Sequence, residues 1–196
     1  MFGSEGEKKL QVQFGTEKKA YSFYDNQMID HINDRMTEFI GEQGMMFIST
    51  ADSKGNCDCS FRAGNKGFVK VLDDNTLIYP EYSGNGVMAS LGNISENSHI
   101  GLLFIDYFQH QIGLHINGSA CIVENEQLLT MYQEDTSLLE EANHVEKPHR
   151  WVKIHVHEAY IHCSRMIPKL TTIERATNEK KHGDYFKTKN KSLHSI

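Results

Sequence analysis

The chain has 196 residues, which is enough for one well-buried domain and short for two. Its formal net charge of −6 argues against general nucleic-acid binding, for which a basic surface is expected. No apolar run approaches the ~20 residues needed to cross a bilayer, and the first fifteen residues lack the apolar core of a secretory signal. We therefore predict a cytoplasmic protein with no membrane and no nucleic-acid partner.

The whole chain, 1–196, is interpreted as a single domain with two polar ends. Residues 1–25 are polar and contain a few aromatic residues that could dock on the domain. Residues 169–196 form a basic tail with seven Lys and Arg residues against three acidic residues. Polar chain ends are usually more mobile than the rest of a domain, and we expect the same of both segments.

The first half of the chain alternates short apolar runs with turn residues. Helical spacing starts near Met28 and ends at the glycines Gly41 and Gly44. The patterns that follow predict strands at 45–51, 57–62, 67–72 and 76–80, with turns at 53–56 and 73–75, and then a short helix at 87–95.

The second half continues in the same manner. It predicts strands at 99–106, 112–124 and 151–162, with a bend or bulge at Gly118, and a helix at 126–142. Strand–helix alternation, the pattern of a parallel sheet, is absent. We therefore predict a mainly β (α+β) fold: an antiparallel barrel of six to seven strands with flanking helices, since closure removes exposed strand edges.

One glycine- and asparagine-rich segment suggests a phosphate site. Gly84, Asn85 and Gly86 lead into the predicted helix at 87–95, where several backbone N–H groups are free. Small residues allow close approach of a ligand, and Lys70 would supply a compensating cation. The alternative is an ordinary hairpin turn followed by a capped helix, because Gly-Asn-Gly is common in turns.

Several ordered segments resemble the pyridoxamine 5′-phosphate oxidase-like family of FMN-binding split β-barrels, and within it the bacterial probable FMN-dependent branch. The segments are MFISTAD at 46–52, CDCSFR at 57–62, GFVKVLDDNTLIYPEY at 67–82, GNG at 84–86, SLGNI at 90–94, ENSHIGLLFID at 96–106 and GLHINGSA at 113–120. Each segment is weak alone, but the ordered set is fairly specific.

The resemblance implies a homodimer with FMN at its interface. By position, it assigns the flavin ring and ribityl chain to Gly67, Phe68, Val69 and Lys70, and then to Tyr79 and Pro80. It assigns the phosphate to Asn85, Ser90 and Asn93, with Arg62 as a further cation. Family oxidases carry an Arg-Lys pair at the phosphate loop, where this chain has the neutral segment 86–90. That departure argues against pyridoxamine phosphate as the substrate.

The family therefore implies an FMN-dependent oxidoreductase acting on an unidentified small molecule, with Arg62, Lys70 and His115 as polar residues near the ring. The alternative is a non-catalytic module that binds flavin, haem or a deazaflavin on the same barrel. A third interpretation is a metal site among the C-terminal histidines, but no spacing matches a known zinc motif. The four cysteines are expected to be buried thiols.

Overall fold

Short segments of strand-forming residues build one antiparallel sheet in the computed structural model, which describes residues 2–82, 84–143, 148 and 150–172. The strands are β1 (Met28–Ile29), β2 (Met45–Ala51), β3 (Cys57–Ala63), β4 (Lys70–Asp73), β5 (Thr76–Glu81), β6 (His99–Ile105), β7 (Gly113–Glu124) and β8 (Arg150–His162). They are ordered β3-β2-β6-β7-β8-β5-β4, and β1 pairs with β8. All neighbours are antiparallel.

The sheet curls but does not close, because its two end strands, β3 and β4, do not pair with each other. Apolar side chains on its inner face form the main core, for example Ile48, Leu102, Ile116 and Ile154. This arrangement confirms the predicted antiparallel split β-barrel with flanking helices. It adds one strand to the six or seven expected, and that strand is the two-residue β1.

Helices flank the sheet at its margins. The described α-helices are α1 (Glu5–Phe14), α2 (Glu17–Gln27), α3 (Asp34–Gly41), α4 (Ala89–Glu96), α5 (Asn125–Met131) and α6 (Thr136–Ala142), and a 3₁₀ turn follows at Ser164–Met166. A second apolar cluster lies outside the barrel, where Leu128 of α5 and Leu138 of α6 pack on Trp151. The Trp151 indole N–H donates to Asn125 Oδ1 at 2.9 Å.

The predicted bulge at Gly118 is confirmed. The pairing of β7 with β8 shifts register between Asn117 and Gly118. A Cβ atom at Gly118 would collide with the carbonyl oxygen of His155. Glycine is therefore required here for steric reasons, and the bulge bends the two longest strands together.

Two predicted helices have different bounds in the structure. The helix predicted from Met28 starts only at Asp34, because Met28 and Ile29 pair with β8 and the Asn33 side chain caps the helix by accepting from the Met36 N–H at 3.0 Å. The helix predicted at 126–142 is broken in two. Asp135 Oδ1 accepts from the N–H groups of residues 137 and 138 and so starts α6 anew.

Much of the polar segment 1–25 is helical, in α1 and α2, and Phe23 packs edge-on against Tyr160 of β8. Of the basic tail, residues 173–196 lie outside the described part.

The prediction of buried thiols is wrong, since all four cysteines are exposed; Cys57 and Cys59 lie on edge strand β3. None of the helices that the structure describes combines the length and apolar character needed to span a bilayer.

Candidate functional site

A cleft of about 780 Å³ opens where β3 faces the end of β5, along the split of the barrel. Its walls come from β3, from the end of β5, and from the loop and helix start that follow β5. The lining residues are Asp58, Ser60, Phe61, Arg62, Ala63, Phe68, Pro80, Glu81, Tyr82, Gly84, Asn85, Gly86, Val87, Met88, Ala89, Ser90, Leu91 and Arg150. The volume is in the range of small-molecule and cofactor sites.

The floor of the cleft includes the start of α4, which has no side-chain cap. The residue before the helix, Met88, has a left-handed backbone with φ of 56°, and its side chain makes no capping hydrogen bond. Gly86 also has a positive φ of 82°, and Asn85 Oδ1 accepts from the Val87 N–H at 3.0 Å. A strained turn therefore presents the first N–H groups of a helix to the cleft, an arrangement that favours an anion.

A carboxylate already stands beside this helix start. Asp58 Oδ2 accepts from the Ser60 hydroxyl at 2.9 Å and from the Ser90 hydroxyl at 3.1 Å. The two serine oxygens are 3.3 Å apart, and Ser90 is only 4% exposed. Ser90 is the second residue of α4. The Asp58 carboxylate is thus tied to the positive end of the helix through a hydroxyl donor.

Both cationic side chains of the cleft are engaged in ion pairs. Arg62 Nη2 lies 2.7 Å from Glu81 Oε1, and Arg62 Nε donates to the same oxygen at 2.8 Å. This pair joins β3 to β5 across the split, and its side chains are 22% and 13% exposed. Arg150 Nε lies 2.9 Å from Glu124 Oε1 in a more exposed pair. The positive charges of both arginines are therefore partly neutralised by their carboxylate partners.

Tyr79 lies beneath this ion pair. Its side chain is fully buried, and its hydroxyl has no hydrogen-bond partner among the described residues. Burial, and secondarily the Glu81 carboxylate, raises the pKa of Tyr79 above its ordinary value. The phenol therefore stays protonated and does not act as a base.

Five of the ten residues assigned to FMN by the family resemblance line this cleft: Arg62, Phe68, Pro80, Asn85 and Ser90. Their convergence is tertiary, because they come from β3, the segment before β4, β5 and the α4 region. Ser90 differs from its assigned role. Its hydroxyl donates to Asp58, so in this arrangement it is not free to donate to a phosphate.

The other five assigned residues do not line the cleft. Gly67 forms a turn with φ of 73°, in which its N–H donates to Gln43 O, and Val69 is buried in the core. Lys70 pairs with Ile78 in the sheet register. Tyr79 is buried as described above. Asn93 donates through Nδ2 to the hydroxyl of buried Thr50 at 3.0 Å, which is a packing role.

His115 does not line the cleft either. Its Nε2 lies 2.8 Å from His162 Nδ1, and its ring stacks on Tyr160 with the centroids 4.7 Å apart. Burial, and then the neighbouring His162, lowers the pKa of His115 below its ordinary value.

Among the C-terminal histidines, His144 and His149 lie outside the described residues. Within the described ranges, no three His, Cys, Asp or Glu side chains are grouped to hold a metal ion.

Sequence reasoning missed three of the four charged residues that line the cleft. Asp58, Glu81 and Arg150 were not assigned to the site, yet all three line it. A signal for Asp58 was present: polar residues at 58, 60 and 62 recur with a period of two, which places them on one strand face. The contribution of Arg150 had no such signal, since β5 and β8 meet only through sheet pairing.

Comparison with known proteins gives a family and a fold. The sequence model of the family described as Pyridoxamine 5′-phosphate oxidase matches residues 32–163. A solved structure from Lactobacillus delbrueckii, provisionally named a pyridoxamine 5′-phosphate oxidase, is 16% identical with a TM-score of 0.50 and covers 68% of this chain and 98% of its own. At this identity the likeness shows a shared fold.

Two other solved structures are similar at a lower TM-score. HupZ from Group A Streptococcus is 23% identical, with a TM-score of 0.47 and coverage of 66% of this chain and 93% of its own. An FMN-binding protein from Syntrophomonas wolfei is 10% identical, with a TM-score of 0.46 and coverage of 76% and 96%. No curated protein matches the chain.

Proposed function

The chain belongs to the pyridoxamine 5′-phosphate oxidase family, and we propose that it is an FMN-binding flavoprotein that acts as an FMN-dependent oxidoreductase on a small molecule. The observation that carries the proposal is the cleft at the barrel split. It gathers Arg62, Phe68, Pro80, Asn85 and Ser90, which the family resemblance assigns to FMN, although they are scattered along the sequence.

The cleft fits a flavin in size and in the distribution of its groups. Phe68, Pro80 and Tyr82 supply ring and aliphatic surface for the flavin ring, and Ser60 and Ser90 contribute hydroxyl groups to the same cleft. The uncapped start of α4 is the site for the phosphate, and Arg62 is a cation that lines the same cleft. Bound FMN would supply the hydride-accepting chemistry, and the protein would supply binding, orientation and exclusion of water.

We also propose a homodimer in which the partner subunit closes the cleft. Phe61 lines the cleft and is 53% exposed, and its ring lies 5.5 Å from that of Phe47, centroid to centroid. Leu103 is the neighbour of Phe47 in the sheet register, so an apolar strip continues from the cleft across three strands. A second copy seated on this strip would cover exposed aromatic surface and the open side of the cleft together.

Titration of the purified protein with FMN tests the cofactor proposal. We expect binding at micromolar or better affinity, which the quenching of flavin fluorescence would report. Ala89→Asp places a carboxylate at the first position of α4, where it favours the helix but repels a phosphate, and should weaken FMN binding by roughly tenfold. Ser95→Asp, an exposed position at the other end of α4, is the matched control and should leave the affinity unchanged. A wild-type protein that ignores FMN would refute the proposal.

Turnover and assembly need separate experiments. If the protein is an oxidoreductase, NADH, NADPH or another donor should reduce the bound flavin and bleach its visible absorbance. Bound flavin that no donor reduces would favour the non-catalytic module instead.

For assembly, Phe61→Asp should halve the mass seen by light scattering, whereas Phe14→Asp, at an exposed phenylalanine of α1, should not.

A further inference from the structure

The cleft contains one charged side chain that works against the proposed phosphate. Asp58 lines the cleft and makes no ion pair with any described residue, whereas Arg62, Glu81 and Arg150 are all paired. Two carboxylates and two guanidinium groups line the cleft, so their charges cancel. A phosphate dianion would therefore enter without a net compensating charge from these side chains.

Asp58 also occupies the donors that a phosphate would use. Its Oδ2 accepts from both Ser60 and Ser90, at 2.9 and 3.1 Å. Ser90 stands in the first turn of α4, so this carboxylate already lies close to the positive end of the helix. A phosphate at the same helix start would meet a like charge and would find the two hydroxyl donors engaged.

We propose that Asp58 determines which flavin the cleft prefers, by restricting its affinity for the 5′-phosphate while accepting hydroxyl donors such as those of the ribityl chain. The inference rests on the proposed flavin site. A carboxylate accepts hydrogen bonds from sugar-like hydroxyls, but repels a phosphate held within the same small network. The phosphate therefore contributes less to flavin affinity here than an uncapped helix start would otherwise permit.

The test compares FMN with riboflavin, which differ only in the phosphate. Asp58→Asn removes the charge and keeps a side-chain oxygen that the serines can donate to. We expect this variant to bind FMN at least tenfold more tightly than the wild type, a factor equal to about 1.4 kcal/mol, with riboflavin affinity changed less than about threefold. Asp30→Asn removes an equally charged but exposed side chain beside the opposite end of β5, and should change neither affinity.

Each result has a distinct meaning. An unchanged ratio of FMN to riboflavin affinity in Asp58→Asn, with riboflavin still bound, overturns the role of Asp58 and leaves the flavin site standing. FMN binding that appears only in Asp58→Asn supports the role of Asp58 and refutes FMN as the wild-type cofactor. No flavin binding by either protein overturns both. Asp58→Ser, checked by circular dichroism, replaces the asparagine variant if that variant fails to fold, with the same expected ratio.

Discussion

The ion pair between Arg62 and Glu81 joins the two sides of the barrel split, and its removal should cost measurable stability. β3 and β5 share no backbone hydrogen bonds, so this pair is a direct link between them. At a charge separation of about 4 Å and an effective dielectric constant of about 20, the Coulomb attraction is about 4 kcal/mol. Desolvation and lost side-chain freedom offset much of it, and both side chains keep some solvent contact.

We therefore expect a coupling energy of roughly 1–2 kcal/mol, above the roughly 0.2–1 kcal/mol of fully exposed pairs. The assay is a double-mutant cycle of Arg62→Met and Glu81→Gln, with unfolding free energies from urea denaturation. Glu81→Gln alone should cost more than the coupling, because it leaves the guanidinium half-buried without its partner.

The pair between Arg150 and Glu124 provides the control cycle. Its side chains are 36% and 54% exposed, and its coupling should stay below roughly 0.5 kcal/mol. A coupling for Arg62 and Glu81 as small as that of the control would refute the argument that the split is bridged by charge. Equal destabilisation by both single variants with no coupling would have the same meaning.

Three further predictions concern other parts of the barrel. His115 has a lowered pKa in the folded protein, so the unfolded state binds its proton more readily. The unfolding free energy of the wild type should therefore fall as the pH is lowered from about 8 to about 5.5. His115→Gln should show a smaller fall when the unfolding free energy is measured by denaturation at each pH. Gly118→Ala should destabilise the protein by roughly 1–3 kcal/mol or more, since its Cβ would meet the carbonyl of His155, and a normal melting curve would contradict this. Gly92→Ala, in open space on α4, should instead stabilise by roughly 0.5–1 kcal/mol, and a loss of stability would show that the site is not open.

The strand pattern was readable because it depends on neighbours in sequence. The predicted strands at 99–106 and 151–162 agree with β6 and β8 within a residue, since a short apolar run, in the first, and alternation of apolar side chains, in the second, are local signals. Helix bounds were less well predicted. Asp135 restarts a helix by accepting two N–H groups, and apolar spacing alone does not reveal such a cap.

Half of the residues that the ordered motifs assign to FMN line the cleft. Arg62, Phe68, Pro80, Asn85 and Ser90 were assigned through ordered motifs, and the structure gathers them around one cleft. Lys70 and Asn93 were assigned from the same motifs but do not line the cleft. Lys70 lies on strand β4, where adjacent side chains point to opposite faces, and Asn93 lies on helix α4, where successive side chains point to different sides. The motif does not state which of these faces the cleft.

By itself, the sequence determined the antiparallel barrel, the family and the glycine-rich turn before α4, because alternation, turn residues and ordered motifs act over short stretches of chain. Only the tertiary structure decided the charge balance of the cleft. Asp58 meets Ser90 across 32 positions, and Arg62 meets Glu81 across 19. Whether a cation is free, or a hydroxyl already engaged, depends on partners that folding brings together, and no local pattern records them.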